Sequence, residues 1–163
     1  MPERQIRLFG DPVLKTISDP IVTIDDRVRG LIVDLIDSVR LPGRAGVAAA
    51  QIGVNLRAFS FNVDGEIGYI LNPEIIELSG EPELFDEGCL SVPGLWYPTM
   101  RSPFARASGI DLDGNPIELQ GDGLMAQALQ HEADHLDGKL YIDGLDKQTK
   151  REAMRQIRES DWF

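Results

Sequence analysis

Residues 129–140 read LQHEADHLDGKL, and both histidines of the chain lie in this stretch, His131 and His135, with Glu132 directly after the first. On an α-helix, residues four apart stack on one face, so the two imidazoles can grip one ion. Glu132 lies about 100° around the helix from His131 and can lean over that ion without ligating it. Leu124, Ala128, His131 and His135 fall on adjacent turns of a single face, which points the pair inward. The spacing predicts a helix from about Asp122 to Asp137, with Gly138 past its end as the stop. The plainer reading is two core histidines satisfied by hydrogen bonds. Chance places two histidines four apart in this chain roughly once in eighty arrangements, and the glutamate makes the pattern rarer still. The motif therefore reads as a metal site.

Outward from this helix, the pattern divides. Asp25 or Asp26 can cap an earlier helix whose apolar residues Val28, Leu31, Ile32, Leu35, Ile36 and Val39 keep helical spacing, and LPGR (41–44) ends it. From about Val47 to Leu119 short β-prone runs alternate with turns, and Asp64-Gly65 and Asp113-Gly114 are hairpin signals. Between those signals, FDEGCLSVPGLWYP (85–98) carries too many glycines and prolines for regular structure and is expected as loop. A last helix runs from about Lys147 to Glu159. Strands followed by helices, without βαβ alternation, predict an α+β fold: short antiparallel β-sheets around a central HExxH helix, closed by a C-terminal helix. No repeat or linker divides the chain, and its 163 residues are expected to form one catalytic domain, 1–163.

Composition narrows the function. A net charge of −11 argues against a nucleic-acid binder, sequence-specific or not. No apolar run is long enough to span a bilayer, and the opening MPERQIRLFG lacks the apolar core of a secretory signal, so a cytoplasmic protein without membrane contact is expected. A single cysteine, Cys89, excludes an intrachain disulfide.

A catalytic ion commonly takes three protein ligands and keeps one open position. The metzincin pattern HExxHxxGxxH is nearly spelled out, Gly138 included, but its last position is Tyr141 and no third histidine exists. A downstream Asp or Glu stays open as the third ligand. So does Cys89, the other residue with affinity for a borderline-soft ion, set in DEGCLSVPG (86–94), where Gly88 permits a tight turn. Coordination would hold its thiol deprotonated.

With these residues in view, the chain resembles the peptide deformylases. The opening IRLFGDPVL (6–14) is family-like, and three motifs follow in family order: RAGVAAAQ (44–51), EGCLS (87–91) and QHEADH (130–135). In the first, usually G-x-G-hydrophobic-A-A-x-Q, Gly46, Ala48, Ala49 and Gln51 match, while Arg44 stands where the first glycine would be. The resemblance implies that Cys89, His131 and His135 ligate the ion and that Glu132 is the general base. It also implies that Gln51 and the Leu90 N–H receive the developing oxyanion. Its usual ion is ferrous iron, with zinc and nickel accommodated, whereas ligand chemistry alone points to zinc. The implied substrate is an N-formylmethionyl nascent peptide, released as formate and a free N-terminus.

Around that centre, Gly46 and Gly88 are read as positions of close backbone approach to a substrate strand, and Leu124 and Ala128, bordered by Gln127, as a wall for the methionine side chain. Glu87 and Asp134 are candidate partners for the histidines, Arg101 a partner for Glu87, and Trp96 and Tyr97 candidates for the groove mouth. In some relatives the terminal helix docks on the ribosome. The cations Lys147, Lys150, Arg151, Arg155 and Arg158 in DKQTKREAMRQIRES (146–160) motivate the same expectation here, against the plainer reading of a solvated face. Two other classes compete: an HExxH endopeptidase, for which Cys89 would matter little, and a silent relative whose groove Arg44 closes.

Overall fold

The computed structural model describes residues 4–163, so the first three residues of the polar opening lie outside it. Among the described residues three α-helices, α1 (Asp26–Val39), α2 (Gly123–Leu136) and α3 (Lys147–Arg158), accompany seven strands. β1 (Gly46–Ala48), β2 (Ala58–Val63), β3 (Glu66–Ser79), β6 (Phe104–Ile110) and β7 (Pro116–Asp122) form one antiparallel sheet in the order β1-β2-β3-β6-β7. β4 (Glu83–Cys89) and β5 (Val92–Arg101) form a separate antiparallel hairpin. The fold is α+β, as the order of elements predicts.

Alternation along the strands sends α1 and α2 to opposite faces of the sheet. Val47, Ala58 and Leu71 pack with Val28, Leu31, Leu35 and Val39 of α1. Their neighbours Ala48, Phe59 and Ile70 pack with Ala126, Leu129 and Leu136 of α2. Asp25, rather than Asp26, is the N-cap of α1, accepting from the Val28 N–H at 3.0 Å. Asp64 and Gly65 both take positive φ, 52° and 84°, the conformation of a two-residue hairpin turn between β2 and β3. Gly138 ends α2 with φ of 73°. A third cluster, Val92, Leu140, Tyr141, Ile142, Ala153 and Ile157, joins the hairpin to α3.

One expectation fails. Residues 85–98 are not loop but most of the β4–β5 hairpin, with Leu84 opposite Met100 and Asp86 opposite Pro98. A two-stranded ribbon has two free edges, so prolines cost it no shared ladder bond, and the register shift between Glu87 and Cys89 absorbs Gly88. Among the described residues no helix is long and apolar enough to cross a membrane.

Candidate metal centre

α2 presents His131 and His135 inward, and the tip of the β4–β5 hairpin lies against them. The Cys89 Sγ is 3.4 Å from His135 Nε2, and the two imidazole Nε2 atoms are 3.2 Å apart. One donor atom from each of Cys89, His131 and His135 lies within 4.8 Å of the others. A tetrahedral ion with bonds of roughly 2.0–2.3 Å separates its ligands by about 3.3–3.6 Å. The two separations at His135 match, and the group could hold a divalent cation. The sulfur stands where a third ligand is wanted, and among the described residues no Asp or Glu downstream of the histidines joins this group.

The His131 ring is braced from behind. Its Nδ1 meets Glu87 Oε2 at 2.5 Å, which turns Nε2 toward the sulfur. Arg101 grips the same carboxylate through two hydrogen bonds, 2.9 and 2.6 Å, and reaches Asp134 on α2 at 2.8 Å. Thus Glu87 partners the histidine, while Asp134 holds Arg101. Burial alone would raise the Glu87 carboxyl, but the bonds from Arg101 and His131 outweigh it and hold it at about 2. The Tyr141 ring stacks on His131 at 6.3 Å, and its hydroxyl donates to the Leu95 carbonyl. No sequence signal pointed to that role for Tyr141. The His135 Nδ1 is buried without a protein partner.

Burial disfavours the His131 cation, yet Cys89 and the nearby carboxylates raise its pKa well above the ordinary value. Burial, reinforced by the His131 charge, pushes His135 well below its own. Burial likewise pushes the Glu132 carboxyl up to about 7, against the pull of His131. Glu132 is only 3% exposed, and its Oε1 has no hydrogen-bond partner.

The first motif supplies the opposite wall. A Cβ at Gly46 would lie 2.7 Å from Glu132 Oε2 and 2.8 Å from its Cγ, so the absent side chain is what admits Glu132. Gln51, 1% exposed in the 3₁₀ turn Ala49–Ile52, accepts from the Ala48 N–H through Oε1. That bond aims its Nε2 at Cys89 Sγ, 3.7 Å away, and at Ser91 Oγ, 3.2 Å away. Leu90 is the first residue of the hairpin turn, outside the paired register.

Gly46, Gln51, Cys89, Leu90, His131 and Glu132 floor a cleft of about 800 Å³, and His135 lies behind them. Gly46, Gly88, Leu124 and Ala128 all line it, as do Trp96 and Gln127. Leu124 is exposed at the rim rather than part of the core. Trp96 lies across Gly88, where a Cβ would come within 2.7 Å of the indole. Tyr97 points to the other face of β5 and packs with the α3 cluster.

The chain matches the family model described as polypeptide deformylase over residues 3–151. It is 49% identical over 162 residues to the peptide deformylase of Acidothermus cellulolyticus, covering 99% of this chain and 89% of that one. The crystal structure of a peptide deformylase from Legionella pneumophila aligns with a TM-score of 0.90 at 38% identity, covering 96% of this chain and 94% of that one. A Synechococcus elongatus peptide deformylase, solved in complex with actinonin, gives 0.89 at 30% identity, covering 99% and 90%.

Proposed function

The chain belongs to the polypeptide deformylase family and is an enzyme of that class; we propose that it removes the formyl group from N-formylmethionyl nascent peptides with a metal-activated water and Glu132 as general base. The observation that carries this reading is the convergence of Cys89, His131 and His135 beside a buried glutamate at the floor of a cleft. A divalent ion held by these three residues would supply an acidified water and a Lewis acid for the formyl oxygen. Ferrous iron is the proposed ion, on the family resemblance, with zinc or nickel able to replace it.

Every other task falls to the chain. Glu132 accepts the proton of the attacking water and returns it to the departing amine. The Gln51 Nε2 and the Leu90 N–H meet the charge that grows on the formyl oxygen, and losing one such donor costs about 3 kcal/mol of barrier. Water's oxygen first bonds to the formyl carbon, and the C–N bond then breaks as the amine takes the proton, leaving formate and a free amino terminus. Leu124 and Ala128 form one wall for the methionine side chain, and Gly46 and Gly88 let the peptide backbone approach closely.

Anaerobic, iron-loaded protein is expected to release formate from a formyl-Met dipeptide, and Glu132→Ala to release none. Equal formate from both would end this reading. Cys89→Ala separates it from an endopeptidase reading: metal retention should collapse in a deformylase and hold if the sulfur is not a ligand.

We also propose a cytoplasmic location and a ribosome contact through α3. Arg155 is already tied to Glu152 and Glu159, which leaves Lys147, Lys150, Arg151 and Arg158 as the cations for such a contact. Reversing those four charges should reduce co-sedimentation with ribosomes, and unchanged co-sedimentation would refute the contact.

A further inference from the structure

Arg44 departs from the first motif and has no part in the chemistry above. It lines the cleft together with Gly43, Ala45, Gly46 and Asn62. Its Nη1 donates to the Ser38 carbonyl at 2.9 Å, in the last turn of α1. Asn62 does the same for the adjacent Val39 carbonyl at 3.3 Å. Last-turn carbonyls lack helical partners and carry the negative end of the helix dipole, so a cation is favoured there. The guanidinium is anchored rather than free to sweep through solvent. No carboxylate of the described chain pairs with it, although this protein carries 27 acidic residues against 16 Lys and Arg. Among the described residues no other Lys or Arg lines the cleft, and Asp86 stands on the hairpin side of it.

The position of Arg44 along the cleft follows from the chain. Gly46 packs on Glu132, where the formyl group must lie, and Arg44 is two residues farther out along the same wall. β1 begins at Gly46, and Arg44 precedes it by two residues across a bend at Ala45, so its Cα lies at most about 7 Å farther from Glu132, the span of two residues of an extended peptide. Arg44 therefore lines the cleft within reach of the second and third residues of a peptide whose formyl end lies at Glu132.

Resting on the deformylase reading, we propose that Arg44 is a specificity-determining residue that selects substrates bearing a carboxylate two or three residues from the formyl group. The carboxylate belongs either to an acidic side chain or to the C-terminus of a short peptide. A fixed cation in a chain of net charge −11 offsets the general repulsion of acidic peptides at one point. A half-exposed ion pair of this kind favours the anionic ligand by about two- to fivefold, and salt screens it.

The test uses four formyl-Met-Ala-X peptides: X as Glu-amide, Gln-amide or Lys-amide, and Gln with a free carboxylate. Affinity is read by calorimetry on nickel-loaded Glu132→Gln protein, and formate on the wild type, so a failure of turnover and a failure of selection are separate results. The Glu-amide should bind about two- to fivefold tighter than the Gln-amide, with the ratio falling toward one as salt rises. Adding Arg44→Gln should bring the ratio to one or below, because Asp86 remains, while Arg44→Lys should restore part of it. A preference confined to the free-carboxylate peptide supports selection of a terminal carboxylate over an acidic side chain. Equal binding of all four peptides, or a preference that survives Arg44→Gln, overturns the proposal.

Discussion

The metal centre joins two regions held in place by different physics. α2 carries its histidines on an element locked by apolar packing, with Leu129 and Leu136 wholly buried between helix and sheet. The β4–β5 hairpin carries Cys89 on a ribbon whose outer face, Leu84, Trp96 and Met100, is exposed. Two strands alone are marginal in water. The hairpin is kept against α2 by the buried Arg101–Glu87 pair, its link to His131 and Asp134, and the apolar cluster shared with α3. One side of the site is thus fixed by the hydrophobic core, the other largely by charge.

Breaking the charged side should have the largest effect. Arg101→Leu leaves the Glu87 carboxylate buried without its main partner, a loss of about 3–5 kcal/mol. Metal content should fall with it, because Cys89 loses its register with the histidines. Leu129→Ala should cost about 2–5 kcal/mol through the cavity it opens. Below its lowered Tm, that variant should still bind one ion per chain. Equal metal retention by the two variants would erase the proposed division.

A pair of glycines sharpens the contrast in the reaction itself. Gly46→Ala drives a methyl group into Glu132, which is buried and cannot yield, and kcat should drop roughly a hundredfold. Gly88→Ala meets Trp96, 70% exposed and free to swing away, so the loss should be no more than about tenfold. Steady-state formate release decides both.

Acid should loosen the hairpin first. The Glu87 carboxyl sits at about 2 when folded, below its ordinary 4.5. Its stabilisation is therefore complete above pH 4.5 and is lost as pH falls from there toward 2. Near-ultraviolet circular dichroism between these limits should show a transition that Glu87→Gln flattens. The smallest expected effect lies at the chain's end, where the Trp162 indole N–H donates to the Pro93 carbonyl at 3.2 Å, behind the cleft loop. Trp162→Phe should cost about 1 kcal/mol and raise KM more than it lowers kcat.

The same contrast governs what could be read from sequence. α2 announced itself through local signals: helical spacing of the histidines, the apolar stripe and the Gly138 stop. The Asp64-Gly65 turn was equally local. The β4–β5 hairpin was hidden because Gly88, Pro93, Gly94 and Pro98 read as breakers, and only the absence of outer neighbours makes them tolerable in a strand. The candidate residues Cys89, His131, His135, Glu132 and Gln51 were legible as motif members, and the structure brings their side chains together. Which carboxylate braces His131 was not, since Glu87 is 44 residues away and Asp134 is close in sequence. Nor was the need of Glu132 for the space above Gly46, a contact between the first and third motifs.

Metal X-ray absorption on the zinc-loaded protein tests most directly whether both regions serve one ion. The account predicts one sulfur at about 2.3 Å and two imidazole nitrogens at about 2.0–2.1 Å, with the sulfur lost in Cys89→Ser. A coordination shell of nitrogen and oxygen alone in the wild type would contradict it.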